Sequence, residues 1–148
     1  MNIFEAIRKD HEVQRDLLDK LIETSGDTKV RHSLFLKLKD ELTVHENAEE
    51  KYFYIPLIDA KMTRERARHS IAEHHEIDEI LEKLEDTEMD SSAWLAHAKT
   101  LKEKVEHHLD EEEQEIFQMA GKVLNESEKT SLASDYNSFM EKNRYSKK

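Results

Sequence analysis

The 148-residue sequence has no cysteine, one proline and two glycines. Without cysteine the chain can form neither disulfides nor thiolate metal sites. So few glycines and prolines argue against folds that need many tight turns. No apolar run approaches the roughly 20 residues of a membrane span. The amino terminus, MNIFEAIRKD, has no secretory apolar stretch either, so the expected location is cytoplasmic and no membrane partner is expected. Positive charge is scarce as well. Lys and Arg number 23 against 34 Asp and Glu, a formal net charge of −11. Nucleic-acid binding rests on clustered positive charge that neutralises phosphates, so nucleic acid is not an expected partner.

What remains is rich in helix formers. The charged share is 39% and the hydrophobic share 36%, but the apolar residues recur at three- and four-residue spacing with no alternating strand pattern. The expectation is an all-α antiparallel four-helix bundle in a single domain, residues 1–148. Residues 1–121 form the core bundle, and 122–148 form a short C-terminal helix and tail. Helices are expected over about 2–23, 29–56, 63–84 and from Ser91 or Ser92 to near Gly121. A fifth, about 127–143, lays Leu132, Tyr136, Phe139 and Met140 across the bundle.

A repeat lies inside this pattern. Shifting the chain by 63 residues places His11 on His74, His45 on His108 and Glu49 on Glu112. The apolar frame agrees around them: Leu18 falls on Leu81, Leu21 on Leu84, Leu38 on Leu101 and Leu42 on Val105. Asp10 falls on Glu73, Glu50 on Glu113 and Tyr54 on Phe117. A helix pair is therefore repeated, and a pseudo-twofold bundle is expected. Positions 38, 42, 45, 49 and 52 share one helix face, as do 101, 105, 108, 112 and 116. Taken singly, His45/Glu49 or His108/Glu112 reads as a solvated contact one helical turn apart. Within a repeated apolar frame, six polar groups point into a core, where unpaired carboxylates are strongly unfavourable. Bound cations offset that cost. The stripes and the repeat select His74 over His75 and His108 over His107; His69, His75 and His107 are expected on the surface, and His97 as a packed or surface residue.

Four imidazoles and two carboxylates without a thiolate suit iron, manganese or zinc. One glutamate from each half, with two oxygens each, suggests a dinuclear site. The ferritin-like arrangement needs Glu-x-x-His twice, and none of the nine histidines has a glutamate three residues before it.

The stretches DH (10–11), HENAEE (45–50), EHHEI (73–77) and HLDEEEQEIF (108–117), in this order, resemble the hemerythrin/HHE cation-binding family over about residues 1–121. The resemblance implies a non-haem di-iron centre, two Fe ions joined by an oxo or hydroxo bridge. It implies terminal ligands His11, His45, His74 and His108, with Glu49 and Glu112 as bridges. Oxygen-carrying members have a further histidine one turn before the third-helix ligand, where this chain has Ser70, and an aspartate where it has Glu113. The resemblance is thus to bacterial HHE-type proteins rather than to reversible carriers. Members that repair iron–sulfur clusters carry an added cysteine-containing amino-terminal segment, which this sequence lacks. Four histidines and two bridging glutamates supply eight of twelve bonds to two six-coordinate irons, and the bridge brings ten. About two positions stay open to water, a tyrosine or a small molecule, and Tyr52 and Tyr54 are the nearest tyrosines. The expected function is binding of, or reaction with, O2, peroxide or nitric oxide. The alternative is an iron- or oxygen-responsive regulatory or storage protein read by a partner.

Overall fold

The computed structural model describes residues 1–144; the last four residues of the expected tail lie outside the described residues. The chain is all-α, with no strand among the described residues. Helix α1 spans Ile3–Ile22, α2 Lys29–Glu49, α3 Ile55–Asp59 and α4 Arg64–Asp86. Helix α5 spans Ser92–Glu111, α6 Phe117–Val123 and α7 Glu126–Asn143. Two π-helical turns, Glu50–Tyr54 and Glu112–Ile116, join α2 to α3 and α5 to α6.

The ends of these helices follow from local chemistry. Asn2 and Asn125 each accept a bond from the backbone N–H three residues on, and the Glu5 and Glu128 carboxylates accept one from the cap residue's own N–H. These reciprocal caps satisfy amide groups that a helix start leaves unpaired. Thr28 caps α2, and Ser91 rather than Ser92 caps α5. Gly26, at a φ of 68°, makes the left-handed step of the α1–α2 turn that a side chain would resist. Helix α7 starts close to where the sequence suggests but is 18 residues long, nearly the length of α1.

The α1–α2 and α4–α5 hairpins are the two halves of the repeat, joined through α1 against α5 and α2 against α4, and α7 lies across α1 and α2. Their buried faces form two apolar layers. One gathers Ile3, Ile7, Phe53, Tyr54, Leu57, Ala67, Ile116, Phe117, Tyr136 and Met140. The other gathers Leu18, Leu38, Leu42, Ile77, Leu81, Trp94, Leu101 and Val105. The helices α1, α2 and α4, and α5 with the π-helical turn and α6 that continue it, each pass from one layer to the other. Each carries buried polar side chains at the crossing: His11, His45 with Glu49, His74, and His108 with Glu112. The bundle is a sandwich of apolar, polar and apolar layers.

Trp94 anchors the second layer. It is fully buried, donates from Nε1 to the Leu84 carbonyl at 3.1 Å, meets the Phe35 ring edge-on and lies under the Arg31 guanidinium. Replacing so large a buried ring leaves a cavity. Trp94→Ala is expected to destabilise the fold by about 3–5 kcal/mol, and Trp94→Phe by roughly 1–3 kcal/mol from lost volume and one hydrogen bond. Urea unfolding followed by circular dichroism measures both.

Candidate metal centre

The six inward residues of the sequence pattern do come together. His11, His45, Glu49 and Glu112 form one group of candidate ligand atoms within 4.8 Å of one another, and Glu49, His74 and His108 form a second. Glu49 belongs to both. The imidazoles are paired, His11 with His45 at 5.3 Å between ring centres and His74 with His108 at 4.9 Å. Each carboxylate spans the two pairs. A Glu49 oxygen lies 3.3 Å from His45 Nε2 and 3.2 Å from His74 Nε2. Glu112 lies 2.9 Å from His11 Nε2 and 3.9 Å from His108 Nε2. Two donors at right angles on an ion with bonds of about 2.1 Å stand ~3 Å apart, close to three of these four spacings.

The donor atoms themselves fit a cation. All four Nε2 atoms and all four oxygens of Glu49 and Glu112 are buried and have no hydrogen-bond partner. Such atoms are normally satisfied, and here eight lone-pair donors converge on one layer. A bound cation matches that donor set in softness and sign.

The outward nitrogens are all partnered. His11 Nδ1 meets Glu113 at 2.6 Å and His74 Nδ1 meets Glu50 at 2.7 Å, a pair of contacts related by the repeat. His108 Nδ1 meets Glu73 at 2.7 Å. His45 Nδ1 instead meets the hydroxyl of Tyr136, on α7, at 2.5 Å, and that hydroxyl donates to Asp10 at 2.7 Å. In the neutral ring that binds a cation, an acceptor on Nδ1 places the one proton outside and the Nε2 lone pair inside. Neither this outer ring nor Tyr136 was among the expected site residues. The repeat-matched pairs Glu50/Glu113 and Asp10/Glu73 carried a signal for part of it; Tyr136 has no counterpart in the repeat.

Electrostatics show the tension of the layer. Burial pushes the His11 pKa down to about 4 despite Glu113. Burial opposes charge on His74 too, but Glu49 and Glu50 outweigh it and hold its pKa up at about 10. Burial, then the neighbouring charge of Glu49, pushes Glu112 well above the carboxylate range. Glu49 is held well below that range because the adjacent His45 and His74 overcome its burial.

The remaining expectations sort clearly. His75 and His107 are exposed, and His97 is half-buried. His69 sits on the surface, 3.2 Å from Glu73 and 3.3 Å from Glu111. Glu113 touches the outer edge of His11, where it also pairs with Arg15. Tyr52, placed on the inward stripe by simple helical spacing, packs against Phe139 instead. Tyr54 is the inward one, its ring 5.9 Å from His74 and its buried hydroxyl unpartnered. The π-helical turn starting at Glu50 adds a residue to the helical cycle and moves positions 53 and 54 inward. Ser70 is buried with an unpartnered hydroxyl.

A helical bundle with inward imidazoles and carboxylates defines a class of proteins that hold cations between facing helices. A family model described as Hemerythrin HHE cation binding domain matches residues 2–120, and the chain belongs to that family. The chain is similar to a hemerythrin HHE cation-binding domain-containing protein from Mycobacterium kansasii, known from its crystal structure. The TM-score is 0.88 at 26% identity, over 99% of this chain and 89% of the other. Among curated proteins, none matches this sequence. Family and buried His/Glu groups together point to metal binding.

A divalent cation added to metal-free protein should raise the melting temperature by about 10 °C or more, as for a ligand at several hundred times its Kd. Below a pKa of about 10, His74 keeps a proton that a cation on Nε2 must displace. Uptake at pH 7 should therefore release at least one proton per chain. Affinity should rise by about tenfold or more per pH unit between pH 6 and 9. Calorimetry in buffers of different ionisation enthalpy counts the protons; a pH-independent affinity contradicts the assignment.

Proposed function

We propose that this protein is a non-haem di-iron protein that binds or reacts with O2, peroxide or nitric oxide. His11 and His45 would hold one iron and His74 and His108 the other, with Glu49 and Glu112 shared between them. The observation that carries the reading is the eight unpartnered donor atoms, two imidazole pairs spanned by two carboxylates. Two bound irons would supply one-electron and two-electron redox chemistry toward small oxidants. The chain's own groups hold the donors in place, exclude bulk water with the two apolar layers, and leave the Tyr54 and Ser70 hydroxyls beside the His74 half. With Ser70 where oxygen carriers have histidine, that half lacks an imidazole donor. A position there stays open to an incoming molecule or to the Tyr54 hydroxyl.

Protein produced in iron-replete cells should hold close to two irons per chain. His45→Ala or His108→Ala should halve or abolish loading, Glu49→Ala should disturb both irons, and His75→Ala, His97→Ala and His107→Ala should load normally. Elemental analysis decides; one iron per chain, or zinc whatever the iron supply, contradicts the reading.

The reduced protein should be oxidised by O2 in a single net reaction rather than store oxygen. Stopped-flow mixing should give a spectral change that vacuum does not reverse, and Ser70→His should slow it. Full reversal under vacuum would restore the carrier reading.

One observation favours a second reading, occupancy sensed by a partner protein. Tyr136 ties α7, an outer helix, directly to His45. Turnover of peroxide or nitric oxide by the purified protein separates reaction from sensing.

A further inference from the structure

In the partners of the histidine Nδ1 atoms, the two halves of the centre obey the repeat except behind one histidine. In the α4–α5 half, the carboxylate of Glu73 bonds His108 Nδ1 directly at 2.7 Å. The equivalent residue in the α1–α2 half is Asp10, one methylene shorter. Between Asp10 and His45 stands the Tyr136 hydroxyl, 2.7 Å from the carboxylate and 2.5 Å from Nδ1. The phenol fills the length that aspartate lacks. Arg144, just past the end of α7, holds the other oxygen of Asp10 at 2.6 Å and binds Glu41 at 2.8 and 3.0 Å. All of these groups except Arg144 are at least nine-tenths buried, and Arg144 is half-buried. Tyr136 and Arg144 lie beyond residues 2–120, the span the family model matches.

From this geometry we infer that α7 is a working part of the metal centre, and that Tyr136 is the positioning residue for His45, relaying the Asp10 carboxylate to its Nδ1. The inference rests on the di-iron reading and deepens it. The proton order follows from the donors: His45 Nδ1–H donates to the phenol oxygen, and the phenol O–H donates to Asp10, whose charge Arg144 pins. This order places the proton of the neutral His45 ring on Nδ1 and turns the Nε2 lone pair toward the layer. The other three histidines have a carboxylate directly on Nδ1, whereas His45 has a neutral hydroxyl in between. The two cation positions are consequently inequivalent, and the difference is written outside the ligands. Partners of this kind commonly change metal affinity 10–100-fold.

Cobalt(II) titration of the metal-free full chain, followed in the visible, tests it. Wild type should bind two ions per chain. Tyr136→Phe should weaken one of the two steps by about tenfold or more while leaving the other near wild type. Adding Asp10→Glu to that variant should restore the weakened step to within about threefold, because glutamate then reaches His45 as Glu73 reaches His108. Rescue by a longer carboxylate is something a merely structural role of the ring would not give. Tyr136→Phe binding both ions like wild type, or a loss that Asp10→Glu does not repair, overturns the inference. Wild type failing to bind two ions overturns the di-iron reading instead. Should Tyr136→Phe not fold, nitrogen-15 NMR of zinc-loaded wild type decides. His45 should carry its proton on Nδ1, with a slowly exchanging Tyr136 hydroxyl proton close to it; an unprotonated Nδ1 or a freely exchanging hydroxyl overturns the assignment.

Discussion

Glu49 and Glu112 are both completely shielded from solvent, with candidate ligand oxygens within 4.8 Å of each other. An ionised carboxylate already costs several kcal/mol to bury, and a second one beside it adds like-charge repulsion. The tension appears as opposite shifts, Glu49 held low and Glu112 driven high. Besides the facing histidine nitrogens and each other, no donor group meets their four oxygens. Only positive charge brought into the layer relieves all of this at once. Without cations a protonated His74 does part of that work, which is why burial fails to discharge it.

Much of the surrounding architecture serves to keep this arrangement in register. The two apolar layers fix the depth of the polar one along each helix. The π-helical turns sit at the two buried glutamates, one starting just after Glu49 and the other at Glu112. The only proline, Pro56, follows the first turn and would by itself favour a break in α-helical bonding. The second turn has no proline near it. What the two turns share is the glutamate, so the local unwinding belongs with presenting that side chain rather than with proline. Outside the imidazoles, four acceptors complete the cage, and α7 supplies one of them.

The bundle and its six inward residues were legible because they are written twice. A periodicity of three and four residues sets the faces, and the 63-residue repeat picks His74 from its neighbour His75 and His108 from His107. Features without periodicity were not legible. Tyr52 looked inward because uniform helical spacing was extended through a segment that is π-helical, and the added residue brings Tyr54 inward instead. Tyr136 read as one apolar-stripe residue among several, since the partner of its hydroxyl is set by where α7 docks. Asp10 and Glu73 were matched as equivalents, and the single methylene between them gave no hint that one needs an intermediary.

Mössbauer spectroscopy of iron-57-loaded, oxidised protein, paired with low-temperature EPR, bears most directly on a dinuclear centre bridged by Glu49 and Glu112. Two ferric ions sharing bridges couple antiferromagnetically. The expected result is two quadrupole doublets of comparable area, a diamagnetic ground state and an EPR-silent sample. A magnetically split spectrum with a strong high-spin ferric EPR signal, accounting for the bound iron, would mean isolated ions and contradict the shared-carboxylate centre.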